Sequence, residues 1–283
     1  MTKIIINPIG GLANRMRCIA SGIALAMETG SDYEVVWAVN DELAARYEDL
    51  FILPDVLKDR IKYPSKAIYR INYSIPRLRN LYITSLTLKR YSHRFFDEFA
   101  SLDDVIQDSK QRLFGNTGNR KGTIYIQAGT VFFPFSNQYY RTLFNLNPEI
   151  ENRVNIKKRM LGNDYIGIHI RRSYNLMSVK YSPDELFITE IEKILSQNPH
   201  TKFYLATDSE ETKAKFITQF GEDTIFCSRN PATRTTLNGI KDATEELFIL
   251  AGAKKILGSY YSSFSESASI IGNAPLVQVS SKN

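Results

Sequence analysis

Residues 165 to 279 repeat one rhythm, a short apolar run followed by a longer amphipathic one, and that alternation leaves few folds open. The run 165–170 reads as a strand. Behind it, Ser182, Pro183, Asp184 and Glu185 read as a helix start with a capping box and proline in the first turn, followed by Leu186, Ile188, Ile191, Ile194 and Leu195. A strand over 202–206, a helix over 209–220 stopped by Gly221, and a strand over 224–227 come next. A helix over 242–252, a strand over 255–258, a polar turn over 259–263, a short helix and a last strand over 276–279 complete the pattern. Strands alternating with helices predict a parallel sheet covered on both faces.

The first forty residues begin the same way. Ile4, Ile5 and Ile6 form a continuous apolar run, as a buried parallel strand requires. Pro8, Ile9, Gly10 and Gly11 break it, and Met16, Ile19, Ala20, Ile23 and Met27 then recur at helical spacing up to Gly30. The glycine turn and first helical turn carry Gly11, Asn14, Arg15 and Arg17, a setting that can receive an anion or a sugar hydroxyl. The glycine spacing matches neither the dinucleotide fingerprint nor the phosphate loop. A second strand is expected over 33–39, a helix over 41–50, helical turns over 97–113, a loop over 115–120 and a strand over 123–127. The stretch 145–162 reads as a crossover between domains. A chain of 283 residues suits two domains, taken here as 1–148 and 149–283.

Functional residues collect where strands end. In the strand over 165–170, Ile166, Ile168 and Ile170 share one face, while Gly167, His169 and Arg171 share the other. This reading sends His169 and Arg171 together into a space left open beside Gly167. Arginine's planar fork suits phosphate, and it stays charged at any working pH. Arg171, Asp208 and the serine turn at 259–263 all fall at carboxyl ends of strands, where open α/β sheets bind ligands.

Charge is unevenly spread. Between 58 and 94 lie ten lysines and arginines, Arg77, Arg79, Lys89 and Arg90 among them, against the single acid Asp59, with tyrosines and phenylalanines interleaved. Such a segment reads as a solvated basic face, as a surface for anionic lipid at the inner face of a membrane, or as a groove for single-stranded nucleic acid. Nucleic acid is the less favoured partner. Cys18 and Cys227 and the three histidines show no metal-ligand spacing, and no apolar run reaches the length of a membrane span. A reduced, cytoplasmic, metal-free protein is expected, with at most a peripheral membrane contact.

Four stretches together resemble the fucosyltransferase superfamily, which includes protein O-fucosyltransferases, α1,2- and α1,6-fucosyltransferases and nodulation-type enzymes. They are the glycine turn 10–15, His169-Ile170-Arg171-Arg172, Leu205-Ala206-Thr207-Asp208-Ser209, and the stretch from Glu246 through Gly258 to Ser265. The resemblance implies an α/β GT-B fold, two Rossmann-like domains facing across a cleft. It implies an inverting, metal-independent transfer of fucose from GDP-fucose to a hydroxyl of a glycan or lipid-linked acceptor. The donor would be held by residues 149–283 and the acceptor by 1–148. Carried over, Arg171 clamps the diphosphate, His169 lies by the nucleoside and Glu246 accepts hydrogen bonds from guanine where the family usually has aspartate. Ser262, Ser263 and Phe264 surround the phosphates, Asp208, Gly11 and Arg17 are further donor-binding positions, and Asn14, with Arg171 one of the two catalytic residues the resemblance implies, reaches the sugar-phosphate region. The family's acid after the second arginine is replaced by Ser173 and Tyr174, so no general base is named. A single-stranded nucleic-acid-binding protein using 58–94, and a sugar-nucleotide-binding protein without transfer, are the alternative readings.

Overall fold

The computed structural model describes residues 2–64, 91–96, 122–173 and 175–282, with residues 91–96 described as backbone. Most of the basic aromatic segment, from 65 to 90, the turns expected over 97–113 and the loop expected over 115–120 lie outside the described residues. The chain divides into two compact units, Met1–Asn145 and Leu146–Asn283.

In the first unit, strand β1 (Thr2–Pro8) leads through the glycine turn into helix α1 (Leu12–Glu28), and β2 (Asp32–Val36) follows. Then come β3 (Ile61–Lys62), β4 (Tyr91–Phe96), β5 (Gly122–Ala128) and the short helix α2 (Gln138–Leu143). The five strands are parallel in the order β3-β2-β1-β5-β4. β1 is central, and Ile4, Ile5 and Ile6 are all buried because both its faces are covered. Helix α1 can lie this close because Gly22 has no side chain: a Cβ there would come within 2.5 Å of Ile6.

The helix expected over 41–50 is absent; these residues form turns and isolated bridges. The Asn40 side chain accepts from the backbone N–H groups of Glu42 and Leu43 at 3.0 and 3.1 Å, and Asp49 accepts from Arg46 N at 2.7 Å. Such local bonds offer the backbone an alternative to helix. The segment is instead fixed by aromatic packing. Trp37 donates its ring N–H to Ala45 O at 2.8 Å and meets Tyr47 edge-on, and Tyr47 contacts Phe51 and Phe144.

The second unit opens with α3 (Pro148–Leu161), capped by Asn147 accepting from Ile150 N at 3.0 Å. β6 (Ile166–Ile170), α4 (Leu176–Tyr181), α5 (Asp184–Gln197), β7 (Phe203–Thr207) and α6 (Glu210–Phe220) follow. β8 (Ile225–Cys227), α7 (Leu237–Ala251), β9 (Lys255–Ser259), α8 (Ser263–Gly272) and β10 (Leu276–Val279) complete it. The sheet is again parallel, ordered β10-β9-β6-β7-β8. Counted within the unit this is the doubly wound order, with the direction of winding reversing between β6 and β9.

One face of that sheet is aliphatic and aromatic: Ile166, Ile168 and Ile170 pack with Phe187, Ile191, Phe203 and Phe216. The other carries Gly167 and His169. The space expected to be open beside Gly167 is filled, since a Cβ there would lie 2.9 Å from Leu250 and 3.2 Å from Ala253. The glycine serves the close approach of α7 to the sheet. Glu245 on α7 is buried and ion-paired at 2.5 Å with both Arg153 and Lys157 of α3, which fastens these two helices together.

The expected capping box at 182–185 does not form. The Ser182 hydroxyl is buried, donates to Val279 O at 2.5 Å and accepts from Tyr260 N at 2.7 Å, while Asp184 is drawn to arginine and lysine partners. Tertiary partners at β9 and β10 outcompete the local cap.

Candidate functional site

In the second unit the carboxyl ends of β6, β7 and β9 bring together Arg171, Arg172, Asp208 and Ser259. Asp208 organises them. Its Oδ2 pairs with Arg171 Nη1 at 2.5 Å, its Oδ1 accepts from Arg172 N at 2.7 Å, and it accepts from both the N–H and the hydroxyl of Ser173. Burial works against this carboxylate, yet the Arg171 guanidinium, the Ser173 hydroxyl and two backbone N–H groups hold its pKa below the ordinary value. Ser259 accepts from Arg171 N at 3.0 Å and donates to His169 O at 3.3 Å, tying β6 to β9. Arg171 is thus aimed from two sides. Arg172 turns away to Asp184, through Nε at 3.1 Å and a second contact through Nη2. Arg172 is thus engaged by an acid at the start of α5.

The turn from β9 into α8 lies beside these residues. Ser262 is the N-cap of α8 but makes no capping hydrogen bond. Its hydroxyl instead lies 3.2 Å from His169 Nδ1. Phe264 stacks on the His169 ring at 4.8 Å between centroids, tilted by 30°. A helix N-terminus with uncapped N–H groups, next to an oriented arginine, is a setting for an anion. His169 contributes no charge: burial first, then Arg171, lowers its pKa to about 3, so the imidazole is neutral at working pH. Tyr261 just before this helix holds φ at 59°, and its carbonyl accepts from Asn175 Nδ2 at 2.9 Å. Ser263 begins the helix and is half-buried.

Glu246 lies on α7, over the sheet face that carries His169. Among the described residues its carboxyl group makes no hydrogen bond or ion pair, and burial pushes it up to about 8 against the opposing pull of Lys213 and Lys157. Its field reaches Tyr204 of β7, whose buried hydroxyl has no hydrogen-bond partner among the described residues. The two adjacent glutamates are thus unlike: Glu245 is paired to two cations and Glu246 is not.

In the first unit, the carboxyl ends of β1 and β5 flank the point where that sheet's order reverses. Gly10 holds φ at 82°, and a Cβ on it would strike Asn14 Nδ2 at 2.7 Å. Asn14 Oδ1 is buried and has no hydrogen-bond partner among the described residues. Gly11 is the N-cap of α1. Arg17 donates through Nε to Gly129 O at 2.8 Å, linking α1 to the end of β5. Arg15, expected to offer its charge to a ligand, is instead fully buried. It donates to Gly10 O at 2.9 Å, Ala38 O at 2.5 Å and Asn40 Oδ1 at 2.8 Å. Five fixed N–H donors let one side chain tie the glycine turn to the segment after β2. Sequence reasoning also missed Glu42, whose Oε2 accepts from Gly10 N at 3.1 Å. No local pattern announces a contact across that span of chain.

Among the described residues no group of three or more His, Cys, Asp or Glu is placed to hold a metal ion, and no helix is long and apolar enough to cross a membrane. No protein-family profile and no curated protein sequence matches the chain. Solved structures do. The α-1,6-fucosyltransferase NodZ soaked with GDP-fucose superposes with a TM-score of 0.63 at 14% identity, over 98% of this chain and 94% of that one. NodZ from Bradyrhizobium gives 0.61 at 15% identity over the same shares. Arabidopsis thaliana FUT1 in complex with GDP gives 0.60 at 13%, over 97% of this chain and 69% of that one. POFUT1 in its apo form gives 0.56 at 10%, over 98% and 97%. The fold is the GT-B fold of these fucosyltransferases.

Proposed function

We propose that the protein is an inverting glycosyltransferase that moves fucose from GDP-fucose to a hydroxyl of a glycan or lipid-linked acceptor. The observation that carries this reading is Arg171, oriented by Asp208 and Ser259 beside the uncapped N-terminus of α8. A leaving diphosphate develops negative charge as the bond to the sugar C1 breaks, and a positioned arginine with backbone N–H donors stabilises that charge where it appears. Likeness of fold to structures that carry GDP or GDP-fucose supports the choice of donor.

Within this reading, residues 149–283 hold the donor and 1–148 serve the acceptor. His169 and Phe264 form a flat, uncharged wall for the nucleoside. Glu246 reads the guanine edge, since a carboxylate facing two N–H donors rejects bases that cannot supply them. Ser262 and Ser263 lie by the phosphates, Asp208 acts through Arg171, and Asn14, Gly11 and Arg17 frame the sugar. The acceptor oxygen attacks C1 opposite the departing phosphate, inverting the configuration.

Calorimetric titration with GDP, ADP and UDP, on the wild type and on Arg171→Ala, tests the site. Selective GDP binding is expected, together with a loss of turnover in the variant of 10²-fold or more, about 3 kcal/mol, as for deletion of a charge-stabilising donor. Absence of nucleotide binding, or unchanged turnover without Arg171, would overturn the proposal. GDP binding with no transfer to any acceptor and no donor hydrolysis would leave a binding protein in place of an enzyme.

A further inference from the structure

We infer that Tyr261 holds the transferred sugar, its ring stacking on the apolar face of the fucose of GDP-fucose; this rests on the transferase reading above and adds a specificity-determining residue to it. Tyr261 sits in the turn from β9 to α8, between Ser259, which accepts from Arg171 N, and Ser262, whose hydroxyl lies by His169. Its backbone is left-handed, at φ 59°. For a bulky side chain that conformation costs about 1–2 kcal/mol, which glycine avoids and asparagine tolerates. Among the described residues the others that hold a positive φ without being glycine are Asp59 and Asn273, both of the tolerant types.

The second unit builds a support for this strain. Asn175 Nδ2 donates to the Tyr261 carbonyl at 2.9 Å, and the Tyr261 ring stacks with that of Tyr260, 6.0 Å between centroids and 24° between planes. Tyr260 is fixed in turn. Its N–H donates to Ser182 Oγ at 2.7 Å, its ring meets Tyr181 edge-on at 5.3 Å, and its hydroxyl accepts from Lys282 Nζ at 3.0 Å. Burial does not explain the choice of side chain, because Tyr261 remains 43% exposed. A strained, half-exposed ring on a braced support marks a place where strain serves a ligand. The neighbours say which ligand. With the diphosphate at Arg171 and the uncapped start of α8, the sugar esterified to it lies beside a residue whose Cα is about 3.8 Å from that of Ser262. The C–H groups on one face of a pyranose suit an aromatic ring, and the C5 methyl of fucose extends that apolar face where mannose carries a hydroxymethyl. The phenol tip leaves a polar handle for a sugar hydroxyl.

Tyr261→Gly and Tyr261→Asn both suit the left-handed backbone and both remove the ring, whereas Tyr261→Phe keeps it. Calorimetric titration of each with GDP and with GDP-fucose, without acceptor, separates the sugar from the nucleotide. The expected result for the first two is an affinity for GDP-fucose about tenfold lower, the upper range for one aromatic stack, with GDP affinity unchanged. Tyr261→Phe should bind both ligands as the wild type does. Wild-type affinity for GDP-fucose in both ringless variants would overturn this inference alone. An equal loss toward GDP and GDP-fucose would overturn it too, since the ring would then only brace the phosphate turn. Failure of the wild type to bind GDP would overturn the transferase reading and this inference with it.

Discussion

Glu246 makes a prediction that can be worked through to a number. In the free protein its carboxyl group holds its proton up to a pH of about 8. On the proposed reading it accepts from the N–H donors of guanine and must be ionised to do so, so nucleotide binding below that pH would release a proton. Affinity for GDP should therefore rise with pH and level off above about 8. With the bound group ionised throughout, the competent fraction grows from about 1 in 100 at pH 6 to one half at pH 8. That is a gain in affinity of roughly fifty-fold, ~2.3 kcal/mol. Calorimetry in buffers of different ionisation enthalpy should count about 0.9 proton released per GDP at pH 7 on the same basis. The phosphates of GDP titrate as well, so the readout is the difference between the wild type and Glu246→Gln. A wild-type affinity that follows pH no more steeply than the variant's would refute the reasoning.

Two further outcomes concern stability. Because the folded state holds the Glu246 proton more tightly than the unfolded chain, this residue costs stability progressively as pH rises from 4.5 toward about 8. Glu246→Gln should accordingly raise the melting temperature more at pH 8 than at pH 5, and an equal effect at both would count against the burial described here. Gly272→Ala should destabilise the fold by about 3 kcal/mol, since a Cβ there would lie 1.7 Å from Ala251 O, a backbone atom that cannot swing away. Chemical denaturation would show it, and an unchanged midpoint would mean that α7 and α8 can separate freely.

The alternation of strands and helices was legible because each element's apolar spacing is local. The strand ends were legible too, which is why Arg171, Asp208 and the serine turn could be grouped before any geometry was known. What could not be read was partnership across the chain. Ser182 and Glu185 spell a capping box, yet Val279 and Tyr260 claim the serine and Lys215 the glutamate. Arg15 spells an exposed cation at a helix start and is buried because Gly10, Ala38 and Asn40 supply its acceptors. The segment 41–50 has the composition of a helix, but Asn40 and the rings around Trp37 decide its path. In each case a long-range hydrogen bond or ring contact outweighs a propensity worth only tenths of a kcal/mol per residue.

The position of β1 sets the order in which this protein must be made. Its neighbour β2 emerges from the ribosome soon after it, but its other neighbour is β5, and Pro8 waits for Ala128 before that side is paired. Throughout synthesis of the intervening chain, an isoleucine-rich strand destined for the middle of a sheet has one unsatisfied edge, an invitation to other nascent chains. The second sheet is spared so long a wait, since β6 gains β7 and then β9 within the span from Ile166 to Ser259. Expression yield should therefore hinge on the amino-terminal half, and slowed translation or chaperone capture before residue 128 should matter more than any step after it.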